Sequence, residues 1–414
     1  MRMTPKPHSE QRMILLRRRR AGLRWLVPVF LLGYCLWGQT LYAQAPSDSK
    51  ETPSGGYGPA AWPEAVRMAD FILSLQNAGG AIPDEKGVAT VNQDSNMEYA
   101  LIGLGAAYAA TKDHKYLDGL EKGIKWLAEH EEMSDPRWKG SWYYVFSANP
   151  PYEHIATSAG PGITDARGVD ATSALFAYLL YLDQRLSGSN KLPQTYTANA
   201  HAALDFVIHH NLDADGLSRS SWQLYAADGK WHFYQEKYSA DQGDVYLGMH
   251  AGEILYRDAQ YGHVAETLRS QTLSRIFAAS LARYGLGLDQ DGKLDASDDG
   301  NSAAFSQGYL SWIWGDNAQS REALKWLQSK IQSDGSIVSI PGKPAYSLNV
   351  AMLALADKSL RKPAPVKSLR WLIDTTYDRE TGGVRHSSDP GDRHELNNET
   401  AFILLGYLGF LPFE

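Results

Sequence analysis

The chain has 414 residues, 43% hydrophobic and 21% charged, which are globular values that exclude wholesale disorder, a collagen-like rod and a multispanning membrane protein. Its 40 basic and 47 acidic residues give a net charge of −7, so there is no basic footprint for phosphate and nucleic acid is excluded as a partner. The one cysteine, Cys35, permits no intramolecular disulfide and no cysteine-based zinc site.

At the N-terminus, Arg2, Lys6, Arg12, the run Arg17 to Arg20 and Arg24 precede an apolar stretch over residues 25–37, and Ala43-Gln44-Ala45 follows. A basic region, a short apolar core and an A-x-A site are the parts of a secretory signal peptide. Residues 1–45 are therefore expected to be removed on export to the periplasm or the medium. The apolar core is shorter than the roughly 20 residues that span a bilayer, so no stable membrane span is expected after cleavage. Cys35 follows Tyr34, where a lipid-acceptor cysteine would follow a small residue, so no lipid anchor is expected. Residues 46–59 read as a flexible linker and residues 60–414 as one folded domain.

Over that domain two kinds of helical segment alternate. One is amphipathic, beginning near Trp62, Tyr116, Thr195, Val264, Arg321 and Pro365, and three of these share a local text: Lys125-Trp126-Leu127, Lys325-Trp326-Leu327 and Arg370-Trp371-Leu372. Such helices bury one stripe and show the other to water. The second kind is nearly free of charge after its first turn, over residues 96–110, 169–182, 245–256, 303–314, 347–356 and 398–410. A helix apolar all round is buried on all sides. Glycine-marked turns such as Asn77-Ala78-Gly79-Gly80, Asp213-Ala214-Asp215-Gly216 and Gln332-Ser333-Asp334-Gly335 lie between them, and are expected to end the outer helices in left-handed caps. Six charge-poor and six amphipathic helices predict an all-α fold, an (α/α)6 toroid with six inner helices ringed by six outer ones. An open solenoid is the alternative, but six hairpins are the number that closes a ring. The predicted core includes Leu101, Leu104, Leu175, Leu179, Leu247, Ile254, Leu353 and Leu404.

The loops leading into the inner helices meet at one end of such a ring, and sites live on loops of this kind. Acids gather there: Asp94 and Glu98 at the first inner helix, Asp165 and Asp170 beside Arg167 at the second, Asp241 and Asp244 at the third, Asp298 and Asp299 before the fourth, and Glu395 and Glu399 at the sixth. Helix capping explains any one of them. It does not ask for two acids at each of three successive starts, nor for the aromatics beside them, which include Trp142, Tyr143, Trp222 and Tyr238. Flat aromatic faces next to carboxylates suit a sugar ring, which packs its C–H face and hydrogen-bonds through its hydroxyls.

The hairpin pattern resembles that of the six-hairpin glycosidases, and the segment from Ala240 through Asp241, Gln242, Gly243 and Asp244 to Leu247 resembles the Ala-(Ser/Thr)-Asp-Gly-Asp stretch of family 8 cellulases and chitosanases. It departs from that stretch at Gln242, which stands where the family carries its first Asp. Asn92-Gln93-Asp94, with Asp165 following, is similar in layout to unsaturated glucuronyl hydrolases. The resemblance implies cleavage of a glycosidic bond by an acidic pair, commonly with inversion, on an oligo- or polysaccharide. One carboxyl donates a proton to the leaving oxygen and the other activates water. The expected catalytic pair lies among Asp94, Asp165, Asp170 and Asp241, with Asp94 first. Glu98, Trp142, Tyr143, Arg167, Trp222, Tyr238 and Asp244 are expected to bind substrate.

Two other readings stay open. A polysaccharide lyase would draw its base from Tyr143, His154, Arg167, Tyr238 or Tyr246, although a lyase acting on polyanions asks for a basic cleft. A toroid can also bind glycans without catalysis. No phosphate loop, dinucleotide fingerprint or nucleophile elbow is present, so no cofactor is expected. Asp289-Gln290-Asp291-Gly292 opens like a calcium loop but has Gly300 at the twelfth position, so a turn is expected there and no metal.

Overall fold

The structure is a computed structural model that describes residues 63–157, 160–297 and 300–414. The expected signal peptide (1–45) and linker (46–59) and the pair Asp298-Asp299 lie outside the described residues.

Among the described residues six inner helices alternate with outer ones. The inner set is α2 (Asn96–Thr111), α4 (Asp170–Ser187), α7 (Ser239–Tyr256), α9 (Gly300–Trp314), α11 (Ser347–Ser359) and α13 (Asn397–Leu408). The outer set is α1 (Pro63–Leu75), α3 (His114–His130), α6 (Thr197–Phe206) with the short α5 (Lys191–Thr195) before it, α8 (Ala259–Arg275), α10 (Ala318–Gln328) and α12 (Val366–Thr375). Each inner helix packs on the next, and α13 packs on α2. The ring is thus closed, and the fold is an (α/α)6 toroid.

Sequence explains the two layers. In α3 the buried residues Tyr116, Leu120, Ile124 and Leu127 recur at helical spacing, while Lys125 and Glu129 face out. In α2 every residue from Asn96 to Tyr108 is buried. Glycine lets the inner helices touch: a Cβ on Gly248 of α7 would stand 2.1 Å from the Ala174 carbonyl oxygen of α4, and one on Gly308 of α9 would stand 2.4 Å from that of Met352 on α11.

Three expectations need correction. The third inner helix begins at Ser239 rather than Val245, so Asp241 and Asp244 lie within it. The marked glycines do not cap the outer helices, because α1 ends at Leu75 and Gly80 lies beyond it. Gly80, Gly216, Gly292 and Gly335 instead close tight turns by donating to the carbonyls of Asn77, Asp213, Asp289 and Gln332. The left-handed caps sit at the far ends of inner helices, at Lys112, Gly188, Arg257 and Gly409. Finally, Ile254 leaves the core in the last turn of α7 and is 42% exposed, whereas the other predicted core leucines are fully buried.

The turns lead into short antiparallel strands, among them the three-stranded sheet of Ile163–Arg167, Trp222–Tyr225 and Lys230–Phe233. Inner helices grip these segments with side-chain amides. Gln242 of α7 accepts from the Ser218 N–H (2.8 Å) and donates to its carbonyl (3.0 Å). Gln307 of α9 does the same to Tyr284, at 2.8 and 2.9 Å. Gln242, the departure from the family 8 stretch, is therefore a backbone clamp.

Candidate functional site

The N-terminal ends of α2, α4 and α7 bring together Asp94, Glu98, Asp170, Asp241 and Asp244, all of them buried. Capping does not account for them. Outer helices α3, α8 and α10 carry a side-chain cap, from Asp113, Asp258 and Asn317 respectively. Inner helices α2, α4, α7, α11 and α13 carry none at their N-cap residue. Asp94 remains 6% exposed and its neighbours Asn96 and Asn398 8% and 7%, which puts them at the floor of the mouth.

Each acid has its own surroundings. Asp94 accepts a hydrogen bond of 2.6 Å from the Tyr144 hydroxyl through Oδ2. Asp170 is pinned by Ser218 Oγ at 2.5 Å and by the Ala171 N–H at 2.8 Å. Asp244 Oδ1 takes the hydroxyls of both Tyr99 and Tyr309, which also touch each other. Asp241 Oδ2 and both carboxyl oxygens of Glu98 are buried without a hydrogen-bond partner.

The electrostatics follow from that burial. Desolvation pushes Asp94 well up, against the Tyr144 hydrogen bond, and Asp241, Asp84 and Glu98 push it further. Desolvation also raises Asp241, reinforced by Asp170 and Asp244, and raises Asp170 over the lowering by Ser218. It carries Glu98 to about 8 and Asp244 to about 7, the latter against its two tyrosines. Five carboxyls this close and this dry cannot all be ionised at neutral pH, so protonated members are present at the mouth.

Other predicted residues fall elsewhere. Asp165 lies on the strand Ile163–Arg167 and meets His154 Nε2 at 3.0 Å. Arg167 pairs with neither Asp165 nor Asp170: its guanidinium is sandwiched between the Trp138 and Tyr143 rings, at 4.4 and 4.3 Å, and donates to Ser141 Oγ. Trp142 is core, 1% exposed, with its indole N–H on the Leu127 carbonyl, so it offers no face to a ligand. Trp222 packs against Trp138 and Phe233 in the loop layer. The Tyr238 hydroxyl is held by Tyr234 and Glu236, and Tyr246 lies deep on α7 beside His250. Of the five side chains named for a lyase, Arg167, Tyr143 and His154 stack on one another, whereas Tyr238 and Tyr246 have other partners. Asp289 Oδ1 accepts from the Asp291 and Lys293 N–H groups, closing a turn. Among the described residues no three His, Cys, Asp or Glu side chains are arranged to hold a metal ion.

Sequence reasoning missed several partners at the mouth. Tyr99 and Tyr309 hold Asp244, and a chain of amides runs from Asp84 through Asn96 to Asn398. His386 Nδ1 meets Glu399 Oε1 at 2.7 Å, both buried; burial lowers the imidazole pKa but Glu399 more than restores it, leaving it raised. Glu399 was visible as an acid opening the sixth inner helix. His386 and Tyr309 had no local signal, because only the ring brings them to the other acids.

No protein-family model and no curated protein matches the sequence. Solved structures do match the fold. A D-mannose isomerase superposes with a TM-score of 0.61 at 10% identity, over 84% of this chain and 95% of that one. A cellobiose 2-epimerase from Bacillus thermoamylovorans gives 0.62 at 12% identity, over 83% and 98%. An unsaturated glucuronyl hydrolase from Streptococcus agalactiae gives 0.57 at 14%, over 83% and 90%. The chain therefore has the six-hairpin, (α/α) toroid fold, and at these identities the likeness extends to the fold alone.

Proposed function

We propose that the protein is an exported glycoside hydrolase that acts on an oligo- or polysaccharide with inversion, using Asp94 as general base and Asp241 as general acid. The observation that carries this reading is the meeting of two buried carboxyls, Asp94 from the turn before α2 and Asp241 from the first turn of α7, the first taking the Tyr144 hydroxyl and the second keeping one oxygen, Oδ2, without a partner. Burial leaves the Asp94 carboxyl raised, and the hydroxyl that Tyr144 donates to it acts against that, in the direction a base needs. Asp241 keeps its proton through burial and the nearby Asp170 and Asp244. Inverting hydrolysis asks for this division of labour, one acid for the leaving oxygen and one base for water. Asp170 and Asp244, tied up by Ser218 and by two tyrosines, set the field. The names of the matched structures, all sugar-converting enzymes, support a carbohydrate substrate.

Export rests on residues 1–45, and mass spectrometry of the secreted product should find them absent; their retention would end that part of the proposal. The reaction class is tested by a panel of oligo- and polysaccharides. Hydrolysis releases reducing ends without the absorbance of an unsaturated product, and proton NMR of the first product should show the anomer opposite to the substrate's. Unsaturated product would establish a lyase, and binding without turnover a glycan-binding toroid.

A second reading has its own observation. The buried His386–Glu399 pair supplies a base suited to removing a proton beside a sugar carbonyl, which an isomerase or epimerase needs. Deuterium appearing at C2 of a free sugar incubated in heavy water would favour it over hydrolysis.

A further inference from the structure

A groove of about 380 Å³ opens beside the C-terminal end of α3, separate from the acid-lined mouth. Its size is that of a small-molecule site. The extended segment at Tyr143-Tyr144 divides the two places: the Tyr144 hydroxyl reaches inward to Asp94, while Tyr143 lines the groove, as alternate side chains of an extended strand do.

One wall of the groove is a built platform. Trp138, Arg167, Tyr143 and His154 form a column, with the guanidinium 4.4 Å from the first ring and 4.3 Å from the second, and the imidazole stacked on Tyr143 at 3.7 Å and 20°. Asp165 fixes the imidazole through Nε2. The column ends in the groove, where the His154 side chain is 27% exposed, so a rigid flat face is presented to whatever enters. Phe146 and Met133 extend the apolar surface.

The same groove is also lined by Glu131, 8% exposed. Asn199 donates to its Oε2 at 2.7 Å, while Oε1 is buried with no partner. Burial carries this carboxyl up to about 8, over the lowering by Asn199 and Lys139. At neutral pH it is therefore an acid group that can both donate and accept. A flat face in one groove with a neutral carboxyl, and with Glu129 and Glu132 also in the lining, matches a ring that shows C–H on one side and hydroxyls on the edge, and disfavours an anion.

We propose that this groove is a second carbohydrate site, binding a neutral pyranose unit between the His154 face and Glu131, apart from the acid-lined mouth. It does not depend on which carboxyls at the mouth do chemistry.

The test is calorimetric titration of the mature protein with linear tetrasaccharides of glucose, xylose and mannose, and with tetragalacturonate as the anionic control. The Asp94→Asn/Asp241→Asn double variant should still bind at least one neutral tetrasaccharide saturably. His154→Ala or Glu131→Ala added to it should weaken that binding on the order of tenfold, about 1.4 kcal/mol. Glu131→Gln, which keeps a donor and an acceptor and guards against a folding artefact, should bind within about threefold of its parent. The proposal is overturned if no neutral tetrasaccharide binds, if tetragalacturonate binds best, or if the groove substitutions leave the affinity unchanged in variants whose melting remains parental.

Discussion

Both oxygens of Glu98 are buried without a hydrogen-bond partner, and burial holds its carboxyl up at about 8. Its usual value in an unfolded chain is about 4.3. The folded protein therefore binds a proton that the unfolded chain has lost throughout that interval, and stability present at low pH is lost as pH rises through it. Asp244, held at about 7, acts in the same direction. Glu98→Gln should melt within error of the parent near pH 4 and at least about 2 °C above it at pH 8; parallel melting curves against pH would show that Glu98 is not buried as described. The acids themselves were legible, because capping cannot ask for Asp94 with Glu98, Asp170, and Asp241 with Asp244 at three successive inner starts. Their partners were not: Tyr309 is one aromatic among many in a charge-free helix, and only the ring carries it to Asp244. Trp142 and Arg167 misled because a sequence gives no direction for a side chain, and theirs point to Leu127 and into the Trp138–Tyr143 sandwich.

The alternation of amphipathic and charge-poor helices is strong enough in the sequence to place all six hairpins, whereas the starts and turns depended on contacts made at a distance. The helix start at Ser239 is earlier than hydropathy suggests because polar Gln242 and acidic Asp241 and Asp244 are buried there, with Gln242 spent on the Ser218 backbone. The same reasoning gives two stability predictions. Glycine to alanine within an ordinary helix stabilises by up to about 1 kcal/mol. Gly248→Ala should do the opposite, by about 1–3 kcal/mol, because its methyl would meet the Ala174 carbonyl and wedge α7 from α4. Gln307→Ala should lose about 1–3 kcal/mol by stranding the Tyr284 N–H and carbonyl. Urea unfolding measures both, and a stabilising Gly248→Ala would contradict the close approach.

For the molecule as a whole, closure of the ring gives it two unlike ends. At the base the C-terminal residues lie across the inner helices: Tyr178 donates to the Pro412 carbonyl, Trp312 to that of Phe410, and Phe413 packs on Tyr178 and Tyr181. At the mouth the inner helices bring their buried acids. The sequence implies closure through the number of hairpins, but the contact of α13 with α2 that completes it joins distant parts of the chain and leaves no local trace. This polarity confines the proposed chemistry to the mouth, where Asp94 stands in the turn before α2 and Asp241 in the first turn of α7. Turnover of Asp94→Asn and Asp241→Asn, on a glycan that the parent hydrolyses, tests that claim most directly. Each substitution should lower kcat by on the order of 10² or more, with the helical circular dichroism of the parent retained. Near-parental turnover in both folded variants would contradict the account.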